Sequence, residues 1–124
     1  MALTLFTNIT EQLTALEKNK LVPLLLDILS ASHDKNTMKG RWISSWFKKV
    51  GYDVSEARIR KMVNYIRVTN AAKPFVLIGA SNGYFLTDNI EVVDEQIQSL
   101  EGRIDSMKSA IDSIKSQRLN LIHK

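Results

Sequence analysis

Arg60, Lys61 and Asn64 carry functional groups suited to reading and holding an anionic, hydrogen-bonding surface. A guanidinium pairs bidentately with guanine and a carboxamide with adenine in the major groove, while an ammonium meets phosphate as a compact point charge. Their neighbours Ile59, Met62, Val63 and Ile66 are apolar at helical spacing. At about 100° per residue these four share one arc and leave Ala57, Arg60, Lys61 and Asn64 on the opposite side. Arg58 and Arg67 fall on the flanks, where contact with phosphate and bracing of the fold are both open readings. Lys39, Arg41, Lys48 and Lys49 precede this segment and suit contacts to a duplex backbone, with Ser44 and Ser45 as further donors. Ser55 begins the segment, and Lys73 and Ser81 follow it near a turn, where minor-groove or phosphate contact competes with plain turn chemistry.

The positive charge is concentrated here. Residues 33–74 hold ten bases against three acids, a net of +7, while residues 1–32 carry −1 and residues 75–124 carry −2, giving the total of +4. A solvated helix face is the usual fate of such charges, but a basic stretch so bounded points to a polyanion, and phosphate contacts supply the bulk of affinity for one.

Other chemistries find little support. The chain has no cysteine, which removes disulfides, thiolate metal sites and a cysteine nucleophile. His33 and His123 are its two histidines, and neither has carboxylates spaced for a metal. Gly79 and Gly83 lack the Lys-Ser/Thr pair that a phosphate loop needs before a helix. The expectation is a protein that is not an enzyme and has no cofactor, no metal and no small-molecule substrate. No apolar run reaches the roughly 18 residues of a membrane span, and the first residues lack a cationic leader, so a cytoplasmic location without membrane attachment is expected.

The elements that position these residues follow from periodicity. Leu13, Leu16, Leu21, Leu24, Leu25, Ile28 and Leu29 mark a buried helical face interrupted by Pro23, which predicts a short helix over about 10–18 and a second from about 20. A polar loop at 33–36 precedes a helix over about 39–50, with Ile43, Trp46, Phe47 and Val50 inward and Trp42 off the stripe. Gly51 suits a left-handed helix end, and either Asp53 or Ser55 can cap the next helix. Phe75-Val76-Leu77-Ile78 and Tyr84-Phe85-Leu86-Thr87 read as strands joined by a turn at 79–83, with Asn82-Gly83 as its tight dipeptide. The fold class expected is mainly α with a small β-hairpin, α+β, with 1–88 as one domain and 89–124 as a second.

The run Ser55-Glu56-Ala57-Arg58-Ile59-Arg60-Lys61-Met62-Val63-Asn64-Tyr65-Ile66-Arg67, followed by Gly83-Tyr84-Phe85-Leu86-Thr87, resembles the recognition helix and wing of winged helix-turn-helix domains. It is similar to the N-terminal domain of biotin-operon repressors, and closer to small phage and prophage proteins of that build. The resemblance covers about residues 21–87. It implies an arginine pair, Arg60 and Arg67, bracketing the reading helix, a Gly-Tyr step opening the second wing strand, and double-stranded DNA as partner. One departure is Thr69-Asn70-Ala71-Ala72, where repressor-type relatives often carry a glycine.

From about residue 89 the chain repeats apolar residues in steps of three and four. Ile97, Ile104 and Ile111 take one seam position of a heptad, and Leu100, Met107 and Ile114 the other. Packing back on the same chain and pairing with a second copy both satisfy such a stripe, and its narrow regularity favours a homodimer. Isoleucine at one seam position with mostly leucine-like residues at the other favours a parallel pair, but that pair sets Arg103 against Lys108 whereas an antiparallel one matches Glu101 with Lys108, so both pairings remain open. The expected function is sequence-specific binding of double-stranded DNA by a phage or mobile-element transcriptional regulator or replication-origin accessory. The alternative is a structural adaptor that recruits a partner through its tail.

Overall fold

The computed structural model describes residues 13–122, and that stretch opens on a reciprocal cap. The Thr14 N–H donates to Glu17 Oε1 at 2.9 Å, and the Glu17 N–H donates to Thr14 Oγ1 at 3.1 Å. Two donors that a helix start leaves unpaired are thereby satisfied. A widened turn, Glu17–Leu21, follows, and the Val22 N–H reaches back five residues to the Glu17 carbonyl. Helix α1, Val22–Leu29, continues from it without interruption. The expected break between two helices does not occur. Pro23 would collide with the carbonyl four residues earlier in a tight α turn, and the π-type turn just before it gives the ring room. Residues 10–12 of the expected first helix lie outside the described residues, and residues 13 and 14 are not helical.

Helix α2 is Gly40–Lys49, with Lys39 extended at its start and no side chain capping it. Ile43 and Phe47 are fully buried, and Trp46 is half-buried with its ring edge-on to Phe47 at 5.3 Å between centroids. Val50 departs from the expected stripe: it is exposed, because the helix has ended and the chain turns there through Gly51 at φ +100°. Leu16 is exposed likewise. Ser44 donates its hydroxyl to the Val54 carbonyl, so it braces the α2–α3 turn instead of offering itself to a ligand. Helix α3 is Glu56–Thr69; Ser55, not Asp53, is its cap, accepting from the Arg58 N–H at 3.2 Å. Its end turns left-handed at Asn70, φ 58°, so asparagine, the next best residue after glycine for that conformation, occupies the site of the departure noted above.

Strands β1, Val76–Ala80, and β2, Gly83–Thr87, pair antiparallel with Val76 opposite Thr87 and Ala80 opposite Gly83. The tight turn is therefore Ser81-Asn82, one residue earlier than the expected Asn82-Gly83. The unusual backbone falls on Gly83, φ +132°, where an added Cβ would lie 2.7 Å from the Met38 backbone. That closeness comes from a single further bridge: Met38 and Tyr84 exchange both backbone hydrogen bonds at 2.8 Å.

Leu25, Leu29, Ile43, Phe47, Ile59, Met62 and Ile66 are fully buried and, with Leu77 from the hairpin, form one core. All four predicted apolar residues of α3 belong to it. The hairpin is fastened to this core at several points. Ser32 Oγ accepts from the Leu86 N–H at 3.1 Å, Thr37 Oγ1 donates to the Asn82 carbonyl at 2.8 Å, and Arg67 Nε donates to the Leu77 carbonyl at 3.2 Å. The chain is thus mainly helical with a two-stranded hairpin, an α+β arrangement as expected.

Contacts divide the chain into two units, Met1–Asp88 and Asn89–Lys124. The second contains the 33-residue helix α4, Ile90–Ile122, in which no residue is buried. Among the described residues no helix is long and apolar enough to cross a membrane.

Candidate nucleic-acid interface

The exposed side of α3 forms one wall of a cleft, with the start of α2 and the tip of the hairpin as the others. One part, about 360 Å³, is lined by Lys39, Gly40 and Arg41 from the start of α2, by Glu56 and Arg60 from α3, and by residues Ala80 to Tyr84. An adjoining hollow of about 290 Å³ shares Arg60, Ala80 and Tyr84 and adds Val63, Asn64, Arg67 and Gly79. Burial of Ile59, Met62, Val63 and Ile66 fixes the rotation of α3, and that rotation delivers Arg60 and Asn64 to the cleft one turn apart.

Arg67 lies where the helix meets the hairpin. An added Cβ on Gly79 would lie 2.9 Å from Arg67 Nη2 and 3.3 Å from the Tyr84 ring, so the absence of a side chain at Gly79 gives the guanidinium its place. The residue as a whole stays exposed, yet its charged end is covered there, and this desolvation pushes its pKa below the usual arginine value, with Tyr84 opposing. Arginine starts so high that it keeps its proton.

Of the two roles open to Arg58, phosphate contact and bracing of the fold, its contacts support the second. Its Nε donates to Glu17 Oε2 at 2.8 Å and its Nη2 to Glu17 Oε1, a fork-to-fork pair across 41 residues. Glu17 is buried, and the Arg58 hydrogen bonds hold its carboxyl below the usual carboxylate range against the opposing effect of burial. Arg58 is raised in turn by the same bonds. It braces the fold and is withdrawn from the phosphate-facing set.

Of the residues singled out from sequence, the cleft gathers Lys39, Arg41, Arg60, Asn64, Arg67 and Ser81. Lys48 and Lys49 close α2 at its exposed far end, Ser55 is spent on its cap, and Lys61 is half-buried outside the cleft lining. Lys73 lines a separate hollow of about 300 Å³ with Leu26, Phe75 and Leu86, sharing no residue with the cleft. Sequence reasoning did not find Glu56, Gly40 or Tyr84 as cleft residues. Glu56 Oε1 would stand 3.3 Å from a Cβ on Gly40, at the α2 start, where the helix dipole favours negative charge. The lone Met38–Tyr84 bridge leaves no periodicity to detect.

Chemically, the cleft combines Lys39, Arg41, Arg60 and Arg67 with a carboxamide within one concave surface, and these cations outnumber the Glu56 carboxylate at the α2 start, which suits a polyanion bearing hydrogen-bonding edges. Among the described residues no group of three or more His, Asp or Glu could hold a metal ion. No protein-family model, curated protein or solved structure matches the chain.

Proposed function

We propose that the chain is a sequence-specific double-stranded DNA-binding protein with a winged helix-turn-helix domain, in which α3 reads the major groove and the β1–β2 hairpin is the wing. The observation that carries this reading is the rotation of α3: its apolar face is spent on the core while Arg60 and Asn64 open into a cleft walled by Lys39, Arg41 and the hairpin. The element order supports it, with α1, the Met38 bridge, α2, α3 and the hairpin following in sequence. The motif-level resemblance carried by Ser55 to Arg67 and Gly83 to Thr87 extends the proposal to a transcriptional regulator or origin accessory of a phage or mobile element. It acts without catalysis or cofactor in the host cytoplasm, as a homodimer held by α4.

The test is duplex binding by fluorescence anisotropy across a salt series. Affinity should fall linearly in log–log form with salt, as counterion release requires. Arg60→Ala should lower it further. Binding that is flat with salt, or indifferent to Arg60, refutes the assignment.

A further inference from the structure

Helix α4 presents one apolar seam along its whole length and buries none of it within the chain: Ile97, Leu100, Ile104 and Ile111 are about half exposed, and Ile90, Met107, Ile114 and Leu121 more so. From this seam we infer that two copies of α4 pair as an antiparallel coiled coil about a midpoint between Asp105 and Ser106. Homodimerisation by α4 belongs to the proposed function above; its direction and register are the new step.

The argument runs through the residues beside the seam. With Ile90, Ile97, Ile104, Ile111 and Arg118 at one seam position and Val93, Leu100, Met107, Ile114 and Leu121 at the other, one flanking position reads Asp94, Glu101, Lys108 and Lys115. The first half of the helix is acidic there and the second half basic. In an antiparallel pair this flank meets its own copy running the other way, so opposite charges meet only if the ends are exchanged. The register that sets Ile104 against Met107 of the second copy brings Asp94 to Lys115 and Glu101 to Lys108, each twice by symmetry. It also overlaps the helices over essentially all of Ile90–Ile122. Sliding by one heptad either way sets Glu101 or Lys108 against itself.

A parallel pair in register fails on the same residues. Its flanks bring Arg103 to Lys108 twice and create no opposite-charge pair between Lys or Arg and Asp or Glu, and Arg118 faces Arg118 across the seam. The antiparallel register instead sets Arg118 against Val93 with Asp94 beside it. Like charges held close cost roughly what opposite charges gain, so the two orientations separate in the same direction at every charged layer.

The consequence for geometry is large. A helix of 33 residues is about 50 Å long, so the two points at which the N-terminal units attach stand about 50 Å apart.

The experiment uses the full chain, whose lack of cysteine permits a single label. Glu91→Cys carrying a nitroxide should give an interspin distance of about 45 Å by double electron–electron resonance, from 29 intervening rises along the axis. A distance below about 20 Å means parallel pairing and overturns the orientation. A monomer, or an assembly larger than two, by sedimentation at tens of micromolar overturns the pairing itself. Lys108→Glu should weaken dimerisation about tenfold, and adding Glu101→Lys should restore it. Strengthening by Lys108→Glu alone, which a parallel Arg103 contact would produce, also refutes the proposal. None of these readouts involves DNA, so their failure is distinct from failure of the DNA-binding reading.

Discussion

The guanidinium of Arg58 closes on the carboxylate of Glu17, joining the start of α3 to the widened turn that leads into α1 through a paired, largely buried contact. Removing one partner leaves a buried charge without compensation, which costs more than the intact pair contributes. Arg58→Ala should therefore destabilise the chain by about 2 kcal/mol, an amount tempered by the partial exposure of Arg58. Urea unfolding checks this. Duplex affinity at a temperature where the variant is folded should stay within about twofold of the parent; a larger loss returns Arg58 to the interface.

The same pair sets a pH dependence. Glu17 binds its proton less readily folded than unfolded, so the unfolded chain takes up more protons as pH falls. The stabilisation is fully present above the ordinary glutamate range and drains away as pH drops through the lowered folded value. Stability measured by urea titration from pH 7 to pH 2 should fall more steeply for the parent than for Arg58→Ala. Parallel profiles would show that the pair carries no proton linkage.

Within the cleft, Arg60 and Asn64 should behave differently from Lys73. Loss of a bidentate base contact costs roughly 1–3 kcal/mol, so Arg60→Ala or Asn64→Ala should weaken the selected duplex by about tenfold or more and relax sequence choice. Lys73→Ala, in its separate hollow, should change affinity less than twofold. Competition against a randomised duplex pool reads all three, and equal losses would mean that the cleft is not the contact surface.

Gly83→Ala tests the seat of the hairpin. An added Cβ meets the Met38 carbonyl carbon and oxygen at 2.7 Å, with φ at +132° besides. Strain of both kinds should cost about 2 kcal/mol or more. Hydrogen exchange should rise at the Met38 and Tyr84 amides, which bond each other's carbonyls. Unchanged protection there would mean that the bridge does not depend on the glycine.

Periodicity made the buried face of α3 and the extent of α4 legible, because each repeats its signal several times. The cap at Ser55 was visible only as one of two candidates, since Asp53 offers an equivalent oxygen and three-dimensional position decides between them. The cleft was half legible: Arg60 and Asn64 follow from the helix arc, whereas Glu56 and Tyr84 arrive by the meeting of distant elements. Arg58 could not be assigned because its partner lies 41 residues away and carries no local pattern linking the two. The hairpin turn was misplaced by the pull of Asn82-Gly83, whose glycine serves the approach of Met38 rather than the turn itself.

The widened turn Glu17–Leu21 holds one more residue than an α turn would, while helix continues on either side of it. It is a length reserve. A chain shortened by one residue among Lys18, Asn19 and Lys20 could close the turn as ordinary α-helix and keep Glu17 facing Arg58, but the tightened turn would then press a carbonyl against the ring of Pro23. Deletion there is therefore costly while the proline is in place and tolerable once it is replaced.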